Sequence, residues 1–234
     1  MKVWSLKNLE DIRHEYIDFD GEWYQAFGRP EKSGCWIIYG KSGQGKSSFA
    51  LQLARKLDEM GMRVLYLTLE MGGCTDFVES VHDVGMRSDI NRIIFSDEVT
   101  PKDLDGYLAK QRSADVVIID SVQYYVDQCG GKADEIISLR KKYPRKVFIF
   151  ISHVDGKEVE GQAAYRVKRD SFKRIYVDGF KATFIGRGKG GPRGYFIVWA
   201  KGYQEYHLKN IESNGTENET TDQQEADTET ARDL

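Results

Sequence analysis

Gly40-Lys41-Ser42-Gly43-Gln44-Gly45-Lys46-Ser47 decides how the rest of this chain is read. It fits the phosphate-binding pattern G-x-x-x-x-G-K-[ST], and its flanks fit as well. Before it, Trp36-Ile37-Ile38-Tyr39 is a short apolar run of the kind that forms a buried strand. After it, Phe49, Ala50, Leu53, Ala54, Leu57 and Met60 recur at helical spacing and give a helix one apolar face. In that strand–loop–helix order the glycines let successive N–H groups turn inward around phosphate oxygens. The helix N-terminus adds unpaired donors and a partial positive charge. Lys46 is then placed to reach the β- and γ-phosphates, and the Ser47 hydroxyl to complete a Mg²⁺ shell. The expected nucleotide-binding residues are Gly40, Lys41, Ser42, Gly43, Gln44, Gly45, Lys46, Ser47 and Ser48. The alternative is a glycine-rich turn that matches by chance, and the flanking strand and helix weigh against it.

With 234 residues the chain can bury one sizeable core, and one α/β domain is the natural expectation. No apolar run is long enough to cross a membrane, and the first residues lack the apolar segment and small-residue site of a signal peptide. Cys35, Cys74 and Cys129 are far apart, odd in number and in no metal-ligand spacing. They are expected to be inert packing residues of a reduced, cytoplasmic protein. The net charge of −3 hides an asymmetry. From Glu212 onward eight acids face only Arg232, a net −7, which leaves the preceding body at about +4. Three regions follow: a lead-in over 1–34 packed on the core or on a neighbour, a domain over 35–211, and a disordered acidic tail over 212–234. The tail is either a solubilising end or an acidic competitor for a basic nucleic-acid surface.

Arg63-Val64-Leu65-Tyr66-Leu67-Thr68-Leu69 reads as a buried strand ending at Glu70. A carboxylate there lies at the carboxyl edge of the sheet, where ligands bind in open α/β folds. Residues 76–84 and 101–112 read as helices, and 92–95 as a short strand between them. Asp115-Val116-Val117-Ile118-Ile119-Asp120-Ser121 places a second acid at a strand exit, where Asp120 would hold Mg²⁺ through water or through Ser47. A further helix over 132–143 precedes the strand Val147–Ile151, which ends in Ser152-His153. Residues 155–169 are polar and read as a mobile loop with a short helix, outside the core. Three short runs near 175–177, 182–185 and 195–199 read as antiparallel strands extending the sheet's edge.

These blocks together resemble RecA-like ATPases, in particular RadA-type recombination proteins and the motor domain of DnaB-type helicases. Four blocks carry the likeness: Gly40 to Ser47, Val64 to Met71, Val116 to Gln123, and Ile151-Ser152-His153-Val154. The glycine-rich stretch Arg187 to Pro192 also looks like small RecA-like ATPases of phages and prophages. The resemblance implies a mostly parallel sheet with helices on both faces, and ATP with Mg²⁺ as cofactors. It implies that Glu70 polarises the attacking water, with Lys46 and His153 as further catalytic residues and His153 sensing the γ-phosphate. A carboxylate capping a turn and an ordinary hydrogen-bonded histidine are the plain alternatives. Asp120 and Ser47 become the metal ligands. Lys181 and Arg187 fall where a finger enters a neighbour's site in such rings or filaments. The segments after Asp120-Ser121 and after His153 match those that face DNA in the family. Tyr165, Arg166, Lys168 and Arg169 there would combine stacking with phosphate neutralisation, or else form a solvated surface.

The sequence thus predicts a Mg²⁺-dependent ATPase that couples hydrolysis to single-stranded DNA in recombination, repair or replication. A homo-oligomer is expected, with replication or recombination proteins as further partners and no membrane. With no separate N-terminal DNA-binding or zinc module in view, a loader, mediator or accessory role is favoured over a complete recombinase. The rival is an ATP-gated assembly module with little turnover and no DNA. A small-molecule kinase is disfavoured, because a glutamate placed to activate water points to hydrolysis.

Overall fold

The computed structural model describes residues 3–89, 92–128, 133–186 and 190–208. Arg187, Cys129 and the acidic tail lie outside the described residues.

The phosphate-loop pattern sits between β1 (Gly34–Tyr39) and α3 (Lys46–Glu59). There follow β2 (Val64–Thr68), α4 (Thr75–Asp83), β3 (Ile93–Ser96), α5 (Pro101–Leu108), β4 (Val116–Asp120), α6 (Val122–Gln128), α7 (Ala133–Lys142) and β5 (Val147–Ser152). A small hairpin of β6 (Val154–Asp155) and β7 (Glu158–Val159) leads into α8 (Gln162–Asp170). The chain then runs through β8 (Lys173–Asp178), β9 (Lys181–Ile185) and β10 (Tyr195–Ile197), and residues 200–208 are helical. Eight strands form one sheet in the order β10-β9-β8-β1-β5-β4-β2-β3. The six strands from β8 to β3 run parallel, and β9 and β10 close one edge antiparallel. This is the α/β architecture the sequence predicts.

The strands are apolar throughout because both faces are covered, as a parallel sheet requires. Alternate residues of β1 serve different layers. Trp36 and Ile38 join α3 in one cluster, while Cys35, Ile37 and Tyr39 join α5, α6, α7 and α8 in the other. Strand β8 is where the structure departs from the sequence reading, since it pairs parallel with β1. The crossover through α8 explains it, because a helix between strands returns the chain in the same direction. Ala164 and Val167 of α8 are buried, so this segment contributes to the core and is no loop. Residues 122–128, in the segment after Asp120-Ser121, form α6 and bury Val122 and Tyr125. Helix α5 ends at Leu108, short of the expected Arg112.

Upstream lie α1 (Leu6–Glu10) and α2 (Gly21–Phe27). Trp23 stacks on Phe196 of β10 with ring centroids 4.4 Å apart, and Phe27 meets Phe184 edge-on at 4.5 Å. The last carbonyls of α2 are received by the glycine-rich segment: Gly191 donates to Ala26, and Arg193 and Gly194 both donate to Gln25. A Cβ on Gly191 would stand 2.0 Å from the Tyr24 carbonyl oxygen, so only glycine fits this backbone-on-backbone contact. Helix α1 buries no residue.

Candidate nucleotide site

The carboxyl ends of β1, β2, β4 and β5 converge on a cleft of about 280 Å³, lined by residues that include Ser42, Gly45, Lys46, Ser47, Glu70, Asp120 and His153. The phosphate loop is held from below by β8. A Cβ on Gly40 would lie 2.1 Å from the Val177 carbonyl oxygen, which leaves that position to glycine. Gly45 takes φ 93°, a left-handed conformation that turns the chain into α3. Gln44 Oε1 accepts from the Gly179 N–H at 2.6 Å, fastening the loop to the turn between β8 and β9.

Lys46 is buried, and its Nζ donates to the Lys41 carbonyl at 2.8 Å, folding the side chain over the loop. Burial lowers its pKa, while Asp120 and Glu70 pull it back up. Asp120 is buried as well, and burial raises its pKa against hydrogen bonds from Tyr66 and Ser47. The Tyr66 hydroxyl donates to Asp120 Oδ2 at 2.9 Å. Burial first, and Asp120 next, push the Tyr66 phenol well above its usual range, so it stays a donor. Glu70 is less enclosed, and its Oε2 lies 2.9 Å from His153 Nε2. Lys46, Ser47, Glu70, Asp120 and His153 are therefore brought together.

The other expected residues lie elsewhere. Tyr165, Arg166, Lys168 and Arg169 occupy α8, and all four have contacts within the chain. Arg166 bonds Asp134 at 2.6 Å, Lys168 bonds Glu158 at 2.9 Å and sits over the Tyr39 ring, and Arg169 lies over Tyr165. Lys181 lies over the Tyr195 ring at 4.4 Å.

Three contributors were given no role of their own in the sequence reading. Tyr66 could have been found as a hydroxyl-bearing side chain inside the apolar run Val64–Leu67. Gln123 donates to Ser152 Oγ at 3.0 Å and to the Glu160 carbonyl at 2.8 Å, tying α6 to the end of β5 and to the hairpin. Phe180, at φ 60° in the β8–β9 turn, lines the phosphate cleft together with Ser48. Both residues also line an adjoining cleft of about 870 Å³. The Phe180 ring meets Trp199 edge-on at 5.0 Å there.

No family model matches the chain. Among solved structures it superposes on the flagellar accessory protein FlaH from Methanocaldococcus jannaschii with a TM-score of 0.57, covering 80% of this chain and 100% of that one at 14% identity. It also superposes on the ATPase domain of G40P with a TM-score of 0.50, covering 74% and 83% at 12% identity. The chain shares with both the mostly parallel α/β, RecA-like fold. Curated relatives include a probable mitochondrial chaperone bcs1 of Schizosaccharomyces pombe, 26% identical over 178 residues, and the chromosomal replication initiator protein DnaA of Helicobacter hepaticus, 25% identical over 126 residues. These matches take in 73% and 53% of this chain, but only 37% and 24% of the relatives' own lengths. No helix among the described residues is long and apolar enough to cross a membrane.

Proposed function

We propose that the chain is a Mg²⁺-dependent ATP hydrolase that couples its cycle to single-stranded DNA in recombination, repair or replication, as a homo-oligomer. The observation that carries hydrolysis is the convergence of Lys46, Ser47, Glu70, Asp120 and His153 on one cleft at the carboxyl edge of the sheet. Lys46 releases the Lys41 carbonyl to take the β- and γ-phosphates. The buried Asp120 carboxylate beside the Ser47 hydroxyl fits a hard cation, since it is an anion that burial leaves under-compensated. Mg²⁺, when bound by these two, supplies charge neutralisation along the phosphates. Glu70 orients the water opposite the leaving group, and His153 bridges from Glu70 towards the γ-phosphate. The nucleobase packs against Phe180 in the adjoining cleft, since Ser48 and Phe180 line both.

Coupling to DNA draws support from the position of the hairpin and α8 directly after His153, and from the initiator named among the relatives. A second reading, an ATP-gated assembly module without DNA, is favoured by one observation: Arg166 and Lys168 already have acidic partners. One experiment separates them. ATP turnover is measured with and without single-stranded DNA over a salt series. Stimulation by DNA that fades steeply with salt supports the first reading. Turnover indifferent to DNA at every salt concentration leaves the second.

A further inference from the structure

The side chain that would hold the metal is itself held from the next strand. Strands β2 and β4 are parallel neighbours, with Tyr66 opposite Ile118 and Thr68 opposite Asp120. Tyr66 and Asp120 therefore project from one face of the sheet, two residues apart along it. A phenol is long enough to close that gap, and the Tyr66 hydroxyl donates to Asp120 Oδ2 at 2.9 Å. Both residues are buried, so the bond is made away from bulk water.

Donor and acceptor are both fixed in place. The Tyr66 ring lies 5.9 Å from that of Phe77 on α4 and 5.8 Å from that of Phe95 on β3, and those two rings meet edge-on at 5.7 Å. The Asp120 backbone is tied as well, since its carbonyl accepts from the N–H groups of Leu69 and Glu70. Only the side-chain torsions of Asp120 are left to turn, and the Tyr66 hydroxyl sets them. A carboxylate with one oxygen committed to a fixed donor meets a cation, or a water on it, through the other oxygen alone. That restriction weighs differently on different cations. Mg²⁺ is small, demands near-octahedral geometry and is served by single oxygens, whereas Ca²⁺ gathers about six to eight oxygens and readily takes both from one carboxylate.

We propose that Tyr66 sets the metal preference of this site. By occupying Asp120 Oδ2 it confines the carboxylate to contact through one oxygen, which suits Mg²⁺ and withholds from Ca²⁺ the second oxygen it would otherwise take. Tyr66 acts through Asp120, so it is a positioning residue. This inference rests on the reading of the cleft as a Mg²⁺-nucleotide site and adds to it the residue that selects the cation.

The test is calorimetric titration with ADP in Mg²⁺, in Ca²⁺ and in EDTA, for the natural chain, Tyr66→Phe and Phe95→Leu, so that no turnover enters the readout. ADP should bind the natural chain more tightly with Mg²⁺ than with Ca²⁺. Tyr66→Phe keeps the ring between Phe77 and Phe95 but frees Oδ2, so affinity with Ca²⁺ should gain on affinity with Mg²⁺ by about tenfold, the scale of one hydrogen bond to a charged group. Affinity in EDTA should not change. Phe95→Leu, at a position 40% exposed, disturbs the ring's packing and leaves the hydroxyl, so its ratio between the two metals should match that of the natural chain. An unchanged ratio in Tyr66→Phe overturns the proposal, as does an equal loss with both metals, the mark of a merely structural role. A shift as large in Phe95→Leu overturns it too, since packing and not the hydroxyl would then be responsible. A natural chain that binds ADP equally well with Mg²⁺ and Ca²⁺ overturns it whether or not the Tyr66 variant folds, and leaves the nucleotide reading standing. ADP that binds under none of the three conditions removes the nucleotide reading itself, and this inference with it.

Discussion

His153 Nε2 stands 2.9 Å from Glu70 Oε2, joining the exit of β5 to the turn after β2 across the mouth of the cleft. In this arrangement the carboxylate that would activate water is engaged by the side chain that would sense the γ-phosphate. Glu70→Gln keeps the shape and loses the base, so turnover should fall about 10²–10⁴-fold while ATP still binds. His153→Ala frees Glu70 but removes the side chain proposed to sense the γ-phosphate, so kcat should fall with little change in nucleotide affinity. Single-turnover kinetics beside equilibrium binding separates the two, and wild-type hydrolysis by Glu70→Gln would remove this residue from the mechanism.

Lys46 is buried against the Lys41 carbonyl. Lys46→Ala removes a cation whose burial already lowers its pKa, so Tm without ligand should hardly move. The rise in Tm that ATP brings to the natural chain should be absent, and turnover should be abolished. A ligand-induced rise of normal size in the variant contradicts the assignment.

Phe180 lines the phosphate cleft and the larger cleft beside α3. Loss of its ring in Phe180→Ala should weaken binding of ADP by about tenfold, roughly 1.4 kcal/mol, through lost stacking. Inorganic triphosphate, which has no base, should bind the variant and the natural chain alike. Calorimetric titration with both ligands checks this, and an equal loss for both would place the effect on the phosphate loop.

Gly40 meets the Val177 carbonyl so closely that even a methyl group has no room. Gly40→Ala should cost about 1–3 kcal/mol in denaturant unfolding. Because β1 and β8 must part to admit it, phosphate binding should weaken in the same variant.

Cys35 is buried, and burial pushes its thiol up to about 12 despite a hydrogen bond with Ser171. A raised acid pKa favours the neutral form in the folded state. The fold therefore loses stability only as pH climbs past the ordinary thiol range near 8.5. In a Cys129→Ser background at pH 8, Cys74 should react quickly with a maleimide and Cys35 only on unfolding, because its folded thiolate fraction is about 10⁻⁴. Equal labelling of both would contradict the burial.

What could be read from the chain follows from how local each feature is. The phosphate loop, the two strand-end acids and the apolar strands are contiguous patterns, and physical chemistry links each to its element without knowledge of neighbours. The parallel pairing of β8 was less accessible, because it depends on whether 162–170 forms a crossover helix. Val122 and Tyr125 look like loop residues beside Gln123 and Asp127 until α8 covers them. The acidic partners of Arg166 and Lys168, Asp134 and Glu158, come from other elements and could not be read beside them in the sequence. Phe180 carried no signal, since a single aromatic in a glycine turn matters here only through the cleft it borders.

The clasp between α2 and the glycine-rich segment ties residues near the start of the chain to residues about 170 positions on. During synthesis Phe19, Trp23, Phe27 and Phe49 emerge first and wait for Phe196 before their cluster is complete. Until the ribosome has released β10 this aromatic set stays open to solvent, so the nascent chain is sticky late rather than early. Truncation or stalling before residue 196 should yield an aggregating intermediate even though the whole parallel sheet has already been made.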